Sequence, residues 1–273
     1  MAVTPALPVR WPAEAIWEAV APALPGFTVE ILPAVDSTNS ELMRRARAGR
    51  AEPVLLVAEQ QTAGRGRMGR QWHSGAQTAG QRGQALTFSL GLNLAPADWS
   101  GLSLAVGLSV AQSLHPDIRL KWPNDLWWHD RKLAGILLET VNRGEAGASR
   151  YVVIGIGLNL LVPDATGLST APAGLLELLP GVDAAQALSL VAAPLVQTVQ
   201  RFEAHGFAPF QKAFNMRDAL AQLPVTLSDG LQGVAQGVDA SGALRVASAQ
   251  GVQRITSAEV SVRVQPAPGY GHV

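Results

Sequence analysis

Two lysines are the first candidates for chemistry, because the chain contains only three lysines beside eighteen arginines. Lys121 begins the segment Lys-Trp-Pro-Asn-Asp (121–125), and Lys132 lies in the segment Arg-Lys-Leu-Ala-Gly (131–135). An ammonium is a compact point charge, and it differs from the planar guanidinium where it must approach a phosphate or a carboxylate. Codon bias with chance placement is the competing explanation. The placement of the two lysines indicates that both could bind an anion.

A second basic segment lies upstream and combines glycine with arginine. Residues 64–70 contain three glycines and three arginines, and Gln61 precedes them. Glycines let backbone N–H groups approach an anion closely, and guanidinium groups bind phosphate or carboxylate oxygens in pairs. Gly-Arg runs also occur in disordered RNA-binding tails and in ordinary surface loops, but this one lies between apolar segments. It lacks the G-x-x-x-x-G-K-[ST] pattern of a P-loop. We interpret it as an anion-binding loop.

Length and composition limit the classes of protein that need to be considered. A chain of 273 residues can form one large domain and a small one, and its formal net charge of zero argues against a polyelectrolyte partner such as bulk DNA. The chain has no cysteine, which excludes a disulfide, a thiol nucleophile and a Cys-ligated metal. Neither a signal peptide nor an apolar run of membrane-spanning length is visible. We expect a cytoplasmic protein that does not use a membrane.

Several secondary-structure elements are predicted before the lysines. We expect a helix over 11–23, a strand over 27–31, and a helix that begins with a capping box of Thr38 and Glu41 and ends near Gly49. Capping alone is a sufficient explanation for the polar segment 36–39. Strands are predicted at 53–59 and 85–93, on either side of the Gly-Arg loop. The polar segment 74–84 between them is expected to be mobile.

The lysine segments are predicted to form a hairpin. A helix over 100–114 and a strand over 118–121 precede it, and His129 with Asp130 forms a two-residue turn. Such a turn pairs Trp127 with Lys132 and Asp125 with Ala134. Diagonal partners share one face of a hairpin, so Asp125 and Lys132 are expected to be neighbours on one side.

The second half of the chain changes from mixed to all-β patterning. A strand is predicted over 150–160, where Gly155 and Gly157 mark either a close approach of a ligand or backbone, or packing alone. Helices follow over 184–206 and 208–220. From Pro224 onward, short strands separated by turns predict a small antiparallel barrel or sheet of about forty residues, and 266–273 form a tail. No internal repeat is visible.

Taken together, the motifs resemble the biotin protein ligases, or biotin–[acetyl-CoA-carboxylase] ligases. The resemblance covers roughly 27–264 and rests on motifs at 36–39, 61, 64–72, 121–125, 131–139 and 155–159. It implies an α/β (α+β) fold, with a catalytic domain like that of class II aminoacyl-tRNA synthetases and a C-terminal SH3-like barrel. The implied organisation is an N-terminal helical extension (1–26), a catalytic domain (27–222), an SH3-like domain (223–265) and a tail (266–273).

The resemblance also implies an activity in two half-reactions. Biotin and ATP give biotinyl-5′-AMP and pyrophosphate, and the biotinyl group then passes to a lysine of a biotin carboxyl carrier protein domain. Lys132 is expected to bridge the biotin carboxylate and the α-phosphate, where two anions are joined. Asp125 is expected to meet the acceptor lysine, which must lose a proton before it attacks. Arg65, Arg67 and Arg70 would neutralise phosphates and cover the mixed anhydride.

The implied ligands divide between the two substrates. On the biotin side are Ser37, Thr38, Asn39, Gln61, Gly64, Arg65, Arg67, Lys132, Gly135, Gly155 and Gly157. On the ATP and adenylate side are Arg67, Arg70, Trp72, Lys121, Asn124, Leu158 and Asn159. Lys132, Asp125 and Arg67 are the expected catalytic residues. Mg²⁺ is implied as the companion of ATP, although no carboxylate cluster in the sequence predicts a protein site for it.

Two features limit how far the resemblance carries over, since part of the family also has an N-terminal winged-helix repressor domain. After Trp72 the usual W-x-S-P-x-G-x-N-L pattern is replaced by His73-Ser74-Gly75 and a longer loop, with Ala85 where Asn is common, so the triphosphate contacts stay open. About twenty-six residues precede the first strand, too few for a winged helix. The expected form is therefore a ligase without the repressor domain and without specific DNA binding.

Partners and rival functions complete the expectations. The expected acceptor is the carrier protein of acetyl-CoA carboxylase or of another biotin-dependent carboxylase, and the expected oligomeric state is a monomer or a homodimer. A lipoate or octanoate transferase is the closest enzymatic alternative. A biotin-sensing repressor and a catalytically silent small-molecule binder are the alternatives from other classes.

Overall fold

The computed structural model describes residues 9–72, 84–141, 149–168, 170–256 and 262–264. The tail at 266–273 and all of the segment 74–84 except Gln84 lie outside the described residues, so the expectations about them stay untested. Within the described part, no helix combines the length and apolarity needed to cross a membrane.

A seven-stranded sheet forms the first part of the fold. Its strands are β1 (Thr28–Leu32), β2 (Val54–Ala58), β3 (Ala85–Leu94), β4 (Arg119–Lys121), β5 (Asp125–Trp128), β6 (Arg131–Val141) and β7 (Arg150–Asn159). They lie in the order β1-β2-β3-β7-β6-β5-β4. The β1–β2 pair is parallel, and all other neighbours are antiparallel. Every strand predicted in this region is present, with ends that differ by at most one residue.

Helices cover both faces of this sheet unequally. They are α1 (Ala13–Val20), α2 (Thr38–Arg47), α3 (Leu102–Leu114), α4 (Ala184–His205) and α5 (Gln211–Arg217). Apolar residues of α1, α3 and α4 pack with those of β3 and β7 in the main core. A smaller cluster joins Leu42 and Met43 of α2 to Leu56, Tyr151 and Val153 on the other face. Because α2 is only ten residues long, it covers only part of that face.

A second, five-stranded antiparallel sheet follows. Its strands are β8 (Pro224–Leu227), β9 (Gln232–Val238), β10 (Leu244–Ser248), β11 (Gly251–Ile255) and β12 (Val262–Val264), in the order β11-β10-β9-β8-β12. The change to all-β patterning after Pro224 is confirmed. The indole Nε1 of the buried Trp122 donates to Gly242 O at 3.1 Å, which ties the loop between β4 and β5 to this sheet.

Three local predictions need correction. The helix expected at 208–220 is a 3₁₀ turn at 208–210 followed by α5, because Asp218 is extended and forms a parallel bridge with Leu120. The capping box at Thr38 is also wrong. Ser37 is the N-cap of α2, and its side chain accepts from Ser40 N. Thr38 instead directs its N–H and its hydroxyl at Gln61.

The third correction concerns the register of the hairpin. Trp127 does pair with Lys132, as predicted, but Asp125 pairs with Gly135 and not with Ala134. The register shifts between Leu126 and Trp127 because β6 contains one extra residue there, which is a β-bulge. The predicted proximity of Asp125 and Lys132 is nevertheless confirmed.

Candidate active site

The candidate site lies on the face of the large sheet that α2 leaves partly open. One row of paired residues crosses five strands there, in the order Thr87, Gly157, Gly135, Asp125 and Lys121. Side chains that are paired across strands point to the same face. The two glycines in the middle therefore make a shallow floor, with charged side chains at one end of the row.

Lys132 and Asp125 form an ion pair beside this floor. Lys132 Nζ lies 2.7 Å from Asp125 Oδ1, and the two side chains are 30% and 18% exposed. Both side chains keep some exposure, so solvent partly screens the attraction between the two charges.

Lys121 brings a second ammonium to the same carboxylate. It pairs with Asp125 across β4 and β5, and its Nζ lies 4.9 Å from the centroid of the Trp127 ring. Burial lowers the pKa of Lys121 below its ordinary value, and the nearby charge of Asp125 partly opposes that shift. Two ammonium groups and one carboxylate are thus concentrated where an anion can bind.

Arg67 extends from the Gly-Arg loop to the same group of charges. Its Nη1 donates to Asn124 Oδ1 at 3.2 Å. Asn124 is held against β6, because its side-chain Nδ2 donates to Ile136 O at 2.8 Å and its backbone carbonyl accepts from Ile136 N at 2.9 Å. Burial is the main cause that lowers the pKa of Arg67, and the charge of Asp125 opposes it. Arg67, Asn124, Asp125 and Lys132 therefore form one constellation.

Arg65 points away from this constellation. Its Nη2 donates to Glu139 Oε1 at 2.9 Å and its Nη1 to Glu139 Oε2 at 3.2 Å, so the guanidinium binds the carboxylate through both nitrogens. Nη1 also lies 3.3 Å from Ser40 Oγ. The Glu139 carboxylate thus already compensates the charge of Arg65.

A buried polar cluster lies between the loop and α2. Thr38 N donates to Gln61 Oε1 at 2.8 Å, and Thr38 Oγ1 lies 3.2 Å from the same oxygen. Ser89 Oγ lies 2.7 Å from both Thr38 Oγ1 and Asn39 Oδ1. Asn39 Nδ2 donates to Leu137 O and to Glu139 Oε2. The N-terminus of α2 is therefore joined to the loop and to β3 and β6.

The floor glycines make room for side chains of the protein itself. A Cβ at Gly157 would lie 2.3 Å from the Trp72 ring, and one at Gly155 would lie 2.0 Å from Asn39 Oδ1. A Cβ at Gly135 would lie 3.4 Å from Trp72 Cζ3, and the centroid of the Trp72 ring lies 6.0 Å from Lys132 Nζ. The Trp72 Nε1 is buried, with no hydrogen-bond partner among the described residues.

Comparison with known proteins accounts for this arrangement. Residues 32–159 match the Biotin/lipoate A/B protein ligase family, and residues 224–263 match the biotin protein ligase C terminal domain. The bifunctional ligase/repressor BirA of Escherichia coli is 33% identical over 256 residues, which cover 88% of this chain and 75% of BirA. The chain belongs to the biotin protein ligase family.

Other relatives of this biotin protein ligase family agree in length and in fold. The biotin–[acetyl-CoA-carboxylase] ligase of Paracoccus denitrificans is 33% identical over 84% of this chain and 98% of its own length. The solved structure of the biotin protein ligase of Aquifex aeolicus in complex with biotin and ATP has a TM-score of 0.70 and 27% identity. It covers 87% of this chain and 99% of its own.

Against this family background, the structure separates the expected ligands into three groups. The first borders the open face and comprises Gln61, Arg67, Trp72, Lys121, Asn124, Asp125, Lys132 and Gly135, whereas Gly64 and Gly157 pack closely against Trp72. Arg70 is exposed, yet close enough to Lys121 to influence its pKa. Ser37 caps α2 from a buried position beside Thr38.

The second group supports the site from below. Asn39 uses its amide within the buried polar cluster and fills the space above Gly155, so the close approach at that glycine is made by a side chain of the protein. Asn159 Nδ2 donates to Lys132 O at 3.3 Å and to Ala173 O at 3.1 Å. Asn159 therefore holds the backbone of Lys132. The third group contains only Leu158, whose side chain is buried in the main core on the helix-covered face.

Sequence reasoning assigned no role to Glu139 and Ser89, although the ligase motif contains the former. Ser89 is a fully buried hydroxyl inside an apolar strand, and that mismatch was the available signal. Glu139 required knowledge of a partner 74 residues away. No group of three or more His, Cys, Asp or Glu side chains that could hold a metal ion occurs in the described ranges.

Proposed function

We propose that the constellation of Lys132, Asp125, Arg67 and Asn124 activates biotin as biotinyl-5′-AMP and transfers the biotinyl group to a protein lysine. Membership of the family makes the chain an ATP-dependent biotin ligase. The observation that carries the assignment of roles is the pairing of Lys132 with Asp125 at the edge of the glycine floor. It supplies one ammonium and one carboxylate, which the two half-reactions need in turn.

In the first half-reaction a biotin carboxylate oxygen attacks the α-phosphorus of ATP. The P–O bond to the pyrophosphate breaks, and pyrophosphate leaves with the electron pair. Two anions approach each other in this step, so fixed positive charge at the meeting point lowers the barrier. Lys132 is proposed to bridge the carboxylate and the α-phosphate, and Arg67 to contact the phosphate from the loop.

In the second half-reaction the acceptor lysine attacks the acyl carbon, and AMP leaves. The attacking amine must be neutral, so a carboxylate beside it can take or orient its proton. Asp125 is proposed for this role. Its charge is compensated by Lys132 in the free protein. Once Lys132 binds the adenylate instead, the carboxylate becomes available to the acceptor amine.

The substrates divide between the two ends of the site in this proposal. Biotin lies beside Thr38, Gln61 and Gly64, and the adenylate lies beside Lys121, Asn124 and Trp72. The buried cluster at the N-terminus of α2 is proposed to supply polar groups for the ureido ring. Mg²⁺ is expected to arrive with ATP, whose phosphates hold it, because the described residues provide no cluster of ligands for it.

The acceptor and the wider organisation are parts of the same proposal. The Paracoccus denitrificans relative is a biotin–[acetyl-CoA-carboxylase] ligase, which supports the carrier protein of acetyl-CoA carboxylase as the acceptor. The mostly antiparallel seven-stranded sheet supports a catalytic domain (27–222) like those of class II synthetases, and the five-stranded sheet supports an SH3-like domain (223–265). A cytoplasmic location, the monomer or homodimer, and the lack of specific DNA binding stay predictions.

One experiment tests the function and separates it from a lipoate ligase, since the family includes both kinds of enzyme. The purified chain is incubated with ATP, Mg²⁺ and either biotin or lipoate, and each acyl-adenylate is measured by mass spectrometry. Biotinyl-AMP, followed by a mass increase on one lysine of a carrier domain, is the expected result. Lipoyl-AMP without biotinyl-AMP would refute the proposal.

A further inference from the structure

Glu139 occupies a central position between the loop and the sheet. It lies on β6 two residues beyond Leu137 and four beyond Gly135, on the same face as the glycine floor. Its carboxylate accepts two hydrogen bonds from the Arg65 guanidinium and one from Asn39 Nδ2 at 3.0 Å. The Glu139 side chain is 19% exposed. A carboxylate with three donors in this setting is well defined in position.

The contacts of Glu139 close a circuit around the start of the loop. From Arg65 the circuit passes through Glu139 and Asn39, and it continues through Ser89 and Thr38 to Gln61, only four residues before Arg65. Both ends of the segment 61–65 are therefore held to the same buried cluster. Gly64 lies between them, where a Cβ would be 2.4 Å from Trp72 O. The segment has little freedom while the circuit is intact.

The circuit needs space inside the sheet as well as polar partners. Asn39 can reach Glu139 only because residue 155 is glycine, since a Cβ there would lie 2.0 Å from Asn39 Oδ1. Asn39 is 3% exposed, and both the nitrogen and the oxygen of its side-chain amide make hydrogen bonds inside the protein. Its role is therefore to hold Glu139 and Ser89, and not to present a free amide.

We infer that Glu139 is a positioning residue for biotin binding, which acts through Arg65 and holds the segment 61–65 against the buried cluster. This inference rests on the proposed function. The circuit ends at Thr38 and Gln61, on the proposed biotin side, whereas Arg67, Asn124 and Lys121 lie outside it. Loss of Glu139 therefore affects the retention of biotin and biotinyl-AMP, and it leaves the apparent affinity for ATP nearly unchanged.

Glu139→Gln is the first variant, because the amide keeps an oxygen for Asn39 and removes the charge that binds Arg65. The Arg65 side chain is 47% exposed, so solvent weakens the pair. We expect the Kd for biotin and the dissociation rate of biotinyl-AMP to rise about threefold to tenfold. The KM for ATP should change less than twofold, a split that general unfolding would not produce.

Glu30→Gln is the matched control. Glu30 also pairs with an arginine, Arg45, at 2.8 Å, but the pair lies outside the circuit. The control should bind biotin like the unmodified chain. Thermal unfolding of both variants shows whether either loses stability. Arg65→Gln removes the other partner on the loop, and it tests the inference even if Glu139→Gln does not fold.

The double variant Arg65→Gln/Glu139→Gln decides whether the two residues act together. Residues that act through one contact give non-additive effects, so the double variant should bind biotin no more weakly than the worse single variant. An unchanged Kd and dissociation rate in Glu139→Gln, or in Arg65→Gln alone, would overturn the inference. Additive losses in the double variant would do so too. If the unmodified chain makes no biotinyl-AMP, the proposed function has failed instead.

Discussion

Lys132 Nζ lies 2.7 Å from Asp125 Oδ1, and this ion pair joins the two side chains that the proposed mechanism uses in different half-reactions. In the free protein each charge compensates the other, with Lys121 and Arg67 adding positive charge nearby. A bound adenylate offers Lys132 a new anionic partner. In the proposed mechanism, this exchange frees the Asp125 carboxylate for the acceptor amine.

Lys132→Ala is expected to lose adenylate formation. Removing a preorganised positive group costs about 3–4 kcal/mol in the transition state, or on the order of a hundredfold to a thousandfold in rate. Single-turnover formation of biotinyl-AMP by rapid quench measures the effect. Lys212→Arg is the control, because Lys212 lies on α5 away from the constellation. A folded Lys132→Ala protein with a normal adenylation rate would show that another group stabilises the transition state.

Asp125→Asn is expected to slow transfer more than adenylation. The amide preserves size but removes the charge that would take or orient the proton of the acceptor amine. Transfer is measured with preformed biotinyl-AMP and a carrier domain, and adenylation with pyrophosphate release. Asp117→Asn, at a 72% exposed side chain, is the control. Equal losses in both steps would place Asp125 in the nucleotide site.

Arg67→Gly is expected to release the intermediate early. A charge-assisted hydrogen bond to the phosphate contributes about 1.5–3 kcal/mol, so the dissociation rate should rise roughly tenfold to a hundredfold. Free biotinyl-AMP would then label lysines of bystander proteins. Stopped-flow dissociation and a bystander-labelling assay measure both effects, with the exposed loop variant Arg50→Gly as control. If the dissociation rate is unchanged, Arg67 acts on the departing pyrophosphate.

Asp218 predicts a pH dependence of stability. Burial raises the pKa of this carboxyl to about 6, and the hydrogen bond from Leu220 N partly opposes the shift. The folded state therefore holds a proton that the unfolded state releases near 3.8, the ordinary pKa of an aspartate. The resulting stability is complete below that lower pKa and is lost as the pH rises through about 6.

The loss should amount to about 2–3 kcal/mol. Chemical denaturation at pH 4, 5, 6 and 7 measures it. The Asp218→Asn side chain cannot titrate. As the pH rises from 4 to 7, we therefore expect the unmodified chain to lose unfolding free energy relative to the variant. A difference that does not change with pH would mean that Asp218 titrates normally.

Much of the fold was predictable because it is encoded by local patterns. Alternation of apolar residues located the strands, and the turn at His129 and Asp130 placed Trp127 opposite Lys132. These signals depend on the chain within a few residues, so they survive without knowledge of the tertiary structure. The nearness of Lys132 to Asp125 could be predicted for the same reason, since both belong to one hairpin.

Long-range packing decided the rest. The β-bulge moved Asp125 opposite Gly135, and no residue type in the hairpin signals an extra residue in β6. The sequence marked Gly155 as a site of close approach, but only the packed sheet shows that Asn39 fills it. Likewise, the sequence of the Gly-Arg loop gives no reason to assign different partners to its arginines. In the fold, Arg65 binds Glu139, 74 residues away, whereas Arg67 donates to Asn124, 57 residues away. The two arginines therefore differ in role because the tertiary structure brings different partners near them.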